Sequence, residues 1–136
     1  MDYPKKTCSI ERLVTHEKLV QATITGRKTQ QRRNGVYGYP NETFDLDGKT
    51  FVVTELYQQR LGDMTDADAQ AEGYPSLEMY RDLILKMHGG MEWNDDASAW
   101  VHCFKAQEKT LQARSFKVAH IIRLYDSHAA TLLKQL

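Results

Sequence analysis

Between His16 and Thr25 the apolar residues fall at helical spacing, with Leu19, Val20, Thr23 and Ile24 on one side. Gly26 follows where a left-handed C-cap would end that helix. Ahead of it, residues 9–14 (SIERLV) fit a short strand or a first helical turn. After it the stripe vanishes, and KTQQRR predicts a strand that is polar on both faces. NGVYGYPNE, with two glycines, a proline and two asparagines, predicts a loop carrying Tyr37 and Tyr39. Phe44 and Leu46, the Asp47-Gly48 turn and the alternating run from Phe51 to Tyr57 predict a hairpin.

TDADAQAEGY predicts a short helix, capped by Thr65 or Asp66 and ended by Gly73. PSLEMYRDLILKMHGG carries the clearest helical pattern, with Ser76 as its cap. Its apolar stripe is Leu77, Tyr80, Leu83, Ile84 and Met87, and Gly89-Gly90 stops it. SAWVHCFKA and SFKVAHIIRLY are β-rich, and SHAATLLKQL closes the chain as a helix. The sum is α+β: several antiparallel strands, with too few helices to cover both faces of a parallel sheet. A small mixed β-barrel with helices packed on its outside follows.

Composition narrows the partners. The 136 residues fit one domain, and the formal net charge is +0, so no global field draws in nucleic acid or an anionic membrane. Attraction for phosphate must be local, and residues 24–33 (ITGRKTQQRR) are the densest basic stretch. No apolar run approaches the ~18 residues of a membrane span. The first residues carry no apolar h-region, and Cys8 and Cys103 form no CxxC pair. A reduced, cytoplasmic protein is expected.

The deaminase patterns H-x-E and P-C-x-x-C do not occur, nor do the Gly-rich nucleotide fingerprints or the G-x-S-x-G elbow. The histidines at 16, 88, 102, 120 and 128 make no i, i+4 pair, so no metal is expected; His102 and His120 read as partly buried strand residues. What remains is G-x-K-x-x-x-x-R, formed by Gly26, Lys28 and Arg33. This pattern resembles the signature of the ASCH domain, a branch of the PUA-like superfamily. DADAQAEGYPSLEMYRDLI resembles that family's acidic helix, its EGY and its longer amphipathic helix. SAWVHCF stands where the family has a late barrel strand. The likeness is clearest over residues 9–105, within a single domain of residues 1–136.

The resemblance implies a small β-barrel whose cleft, lined by the G-x-K segment, binds RNA or nucleotides. It also implies a similarity to bacterial amidohydrolases that deacylate N4-acetylcytidine. In that subgroup the lysine is Lys28 here and the glutamate is Glu72. The threonine three residues after the lysine is replaced by Gln31, which cannot attack a carbonyl.

A partly desolvated Lys28 can move a proton near neutral pH, Glu72 can activate water, and Gln31 can donate to a developing oxyanion. Thr29 is a substitute hydroxyl beside the lysine. Arg33 suits a phosphate, a cytosine carbonyl or Glu72 itself, and Tyr37 and Tyr39 suit base stacking. Arg27 and Arg32 read as ordinary surface charge, and Trp93 and Trp100 as core or rim residues.

The expected function is metal-independent hydrolysis of N4-acylated cytosine or cytidine, with no cofactor and no membrane partner. The alternative is an RNA- or nucleotide-binding module, or a single-strand ribonuclease. The oligomeric state stays open.

Overall fold

In the computed structural model, the chain is described at residues 2–89 and 92–107. A 3-10 turn over Ile10–Arg12 resolves the ambiguity of SIERLV. Helix α1 spans Glu17–Ile24, with the His16 ring accepting the backbone N–H of Lys18 at its start. Val20, Ala22 and Thr23 are buried, and Leu19 and Ile24 lean on the core. Gly26 has φ +86°, so the chain leaves the helix through a left-handed residue that glycine adopts at little cost.

Strand β1 (Gln30–Arg33) follows, then β2 (Thr43–Leu46) and β3 (Lys49–Arg60). Asp47 and Gly48 join the latter two with φ +49° and +86°, both positive as a tight hairpin turn requires. The hairpin stands as the sequence implied, although β3 runs on to Arg60.

Helix α2 spans Asp66–Glu72 and α3 spans Leu77–Met87. Thr65 caps α2 in a reciprocal box with Asp68, and Ser76 caps α3. Strand β4 occupies Ser98–Ala106, the run SAWVHCFKA. SFKVAHIIRLY and SHAATLLKQL, with their implied strand and helix, lie outside the described residues, as does Gly90.

The sheet order is β1-β4-β3-β2, and all three pairings are antiparallel. The sheet curls into a half-barrel with helices outside it, the small α+β architecture that the sequence implied. One face carries Phe51, Val53, His102 and Phe104. Phe51, Val53 and Phe104 pack with Ile10, Leu13, Val14 and Val20 into the main core. A second cluster, Met64, Ala69 and Tyr80, ties α2 to α3.

The α3 stripe is only partly covered: Tyr80 is buried, whereas Leu83 and Met87 are 37% and 59% exposed. The polar strand also departs from expectation, because Gln31 and Arg32, which point to opposite faces, are both buried.

Candidate functional site

Two features of the sequence bring the charged residues together. The Thr65–Asp68 box starts α2 at a fixed place, and Asp68 and Glu72 stand four residues apart, on one helical face. Lys28, Gln30 and Arg32 alternate along an extended segment and so share one side. The two rows meet. Thr29 donates its backbone N–H to Ala71 O at 2.7 Å, fastening the end of α2 to the G-x-K segment.

The Lys28 side chain is 0% exposed. Its ammonium donates to Gln30 O at 2.7 Å, Glu72 O at 2.9 Å and Glu72 Oε1 at 3.3 Å. Three donors meet three acceptors, so the lysine is fully used within the protein. Lys28 satisfies one open carbonyl at the C-terminal end of α2 and Thr29 a second, and the lysine adds positive charge where the helix favours it. Burial pushes the Lys28 ammonium below its ordinary value, and the Glu72 carboxylate opposes that shift.

Arg32 is the larger surprise. Read from sequence as surface charge, it is buried, with its side chain 2% exposed. Nη1 donates to Glu72 Oε2 and to Gln30 Oε1, each at 2.9 Å. Nε and Nη2 donate to Gln59 Oε1 at 3.0 and 2.7 Å, and Nη2 lies 3.5 Å from Asp68 Oδ1. Tertiary packing of α2 over β1 desolvates this residue, which composition alone does not convey. Burial raises the Asp68 carboxyl, but the Thr65 backbone N–H, Gln59 and Arg32 outweigh it and hold it below its usual range.

The structure thus brings Lys28 and Glu72 together, as expected, and adds Arg32, Gln59 and Asp68. The sequence held one sign of Arg32: it stands four residues from Lys28, on the same side of an extended chain. Gln31 faces the other way. Its Nε2 donates to Arg32 O at 3.3 Å, and its buried Oε1 has no partner. Thr29 is exposed.

Arg33 does not reach Glu72. Its Nη2 donates to Leu13 O at 2.7 Å, and its guanidinium lies 5.1 Å from the Tyr37 ring centre. Tyr37 packs edge-on against His102, and Tyr39 donates its hydroxyl to Pro4 O at 2.8 Å. His102, opposite Gln31, is fully buried rather than partly. Its Nε2 accepts the Tyr37 N–H at 3.0 Å, which fixes the ring as neutral with its proton on Nδ1, facing Gln31 O at 3.2 Å.

Beside this cluster a cavity of about 150 Å³ opens between the Gly26–Thr29 segment and the ends of β3 and β4. Phe51 and Phe104 line it, together with Lys49 and Lys105, whose side chains are exposed. Among the described residues, no group of three or more His, Cys, Asp or Glu is placed to hold a metal. Among the same residues, no helix is long and apolar enough to cross a membrane. Cys8 and Cys103 are both free thiols.

No protein-family model matches the sequence, and no curated protein matches it. Among solved structures, an ASCH domain from Lactobacillus crispatus JV V101 is similar over 75% of this chain and 77% of that one, with a TM-score of 0.55 at 14% identity. A protein of Enterococcus faecalis V583, described by the family model DUF984, covers 66% of this chain and 67% of its own, with a TM-score of 0.48 at 14% identity. The chain has the fold of an ASCH domain.

Proposed function

We propose that this chain is a nucleotide- or RNA-binding ASCH module that takes its ligand in the cavity beside Gly26–Thr29. One observation carries the reading. The cavity lies against the core residues Phe51 and Phe104 and is bordered by two exposed lysines, Lys49 and Lys105, suited to a phosphate, while the Lys28 ammonium is committed to protein acceptors. The neutral net charge agrees with a small footprint, in which a few directed contacts replace a broad basic surface. Titration of cytidine monophosphate and of short single-stranded RNA tests it. Lys49→Ala and Lys105→Ala are expected to weaken both ligands and to flatten the salt dependence. Affinity that ignores both substitutions sinks the proposal.

A second reading, hydrolysis of N4-acylated cytidine, is favoured by the Lys28–Glu72 contact of 3.3 Å. It requires the ammonium to give up one of its three acceptors when substrate arrives, and water to serve as nucleophile, since Gln31 stands where the resembling enzymes have a threonine. Incubation with N4-acetylcytidine, followed by chromatography for cytidine, decides it. Release of cytidine that is lost in Lys28→Ala and Glu72→Gln supports hydrolysis. No release eliminates it. Shortening of single-stranded RNA in a parallel incubation would instead identify a ribonuclease.

A further inference from the structure

We propose that the exposed face of α3 pairs two copies of this chain, with the two helices antiparallel about a two-fold axis at Leu83. The inference stands apart from the ligand reading above.

Helix α3 buries one of its eleven residues, Tyr80, and Leu77 and Ile84 pack beside it in the cluster shared with α2. The next strip of its surface is apolar and open. Met79, Leu83 and Met87 are 47%, 37% and 59% exposed. They stand four residues apart, each about 40° further round the helix than the last, and so form one ridge. Single exposed apolar side chains are ordinary, whereas a continuous row of three marks a contact surface.

The ridge is complementary to itself. It reads Met, Leu, Met in either direction. In a two-fold pair, residue i meets residue j and j meets i. Leu83 therefore meets its own copy, and Met79 meets Met87 of the other chain at both ends. Methionine side chains bend to fill such a seam.

The charges select the same arrangement. Asp82 and Lys86 follow one edge of the ridge, both exposed, and neither forms an ion pair with another described residue. About the axis at Leu83, Asp82 falls within about 3 Å, measured along the helix, of Lys86 in the other copy. The pair forms twice. A parallel pairing would instead set Asp82 against Asp82 and Lys86 against Lys86.

The contact is small. A helix of this length spans about 16 Å, so the pair buries less than the ~800 Å² per partner of a stable complex. Half-association near ~100 µM is expected, not a tight dimer.

Sedimentation of the full chain from about 10 to 500 µM tests it, because mass action favours the pair at the upper end. The expected result is an average mass that climbs from one chain towards two. Leu83→Glu should abolish the climb and leave thermal unfolding at low concentration unchanged. Asp82→Lys and Lys86→Asp should each weaken association about tenfold by setting like charges together, and the double exchange should restore it.

A single-chain mass at every concentration overturns the proposal. If Leu83→Glu then also lowers the unfolding temperature, the face lies against another part of the same chain. A dimer that ignores Leu83→Glu uses a different surface and overturns it too. A double exchange as weak as either single one overturns the antiparallel setting. None of these results bears on the ligand titrations.

Discussion

Arg32 Nη1 lies 2.9 Å from Glu72 Oε2, and each side chain is 2% exposed. A buried pair of this kind adds little over an apolar replacement, but losing one partner strands the other. Arg32→Met and Glu72→Gln are each expected to cost about 3 kcal/mol or more. The double substitution should cost less than the sum, with a coupling of about 1–3 kcal/mol. Urea unfolding of the four proteins measures the cycle, and additive losses would refute the contact.

Lys28 predicts an alkaline dependence. Its folded pKa lies below the ordinary 10.5 because burial disfavours the charge. Between the folded and unfolded values the unfolded chain binds more protons, so stability rises with pH up to about 10.5. Below the folded value the penalty is constant. Lys28→Met should lack this rise. Unfolding free energies of parent and variant at several pH values from neutral to alkaline give the difference, and parallel curves would contradict it.

His102 predicts an acid dependence of the same sign. Burial lowers its pKa from 6.5, outweighing the hydrogen bond to the Gln31 carbonyl, and the Tyr37 N–H requires a neutral ring. Its contribution is fully present above about pH 6.5 and is lost as pH falls toward the folded value. His102→Gln, compared with the parent in thermal melts at acid and neutral pH, should show a shallower decline on acidification. An equal decline in both would assign the acid sensitivity to other groups.

Gly35 predicts a local effect. A methyl there collides with the Thr7 side chain, so Gly35→Ala should lift residues 2–8 from the loop and cost about 1–3 kcal/mol. Limited proteolysis should cut those residues faster in the variant. Unchanged cleavage would show that Thr7 simply rotates aside.

Much of the fold was legible because it rests on local rules. The helix stop at Gly26, the Asp47-Gly48 turn, the Thr65 and Ser76 caps and the bounds of β4 each follow from one or two residues. The meeting of Lys28 with Glu72 was legible only through family resemblance, since 44 residues separate them. Arg32 was not legible. Four basic residues within ten resemble a solvated face, and nothing short of α2 lying over β1 turns one of them into a buried organiser. The α3 stripe misleads in the opposite direction: Leu83 and Met87 have core spacing but remain exposed.

The two polar faces of β1 also govern strand alignment. Side chains alternate, so a slip of one residue against β4 would turn Arg32 toward the face of His102 and Phe104 and leave Gln31 opposite Glu72. A guanidinium would then sit among Leu13 and Val14, and a carboxylate would lose its cation. An apolar strand of four residues slips at modest cost, whereas this one carries a charge lock that fits a single setting. Gln30–Arg33 therefore proofreads its own pairing, which a strand at the edge of the sheet among the described residues needs.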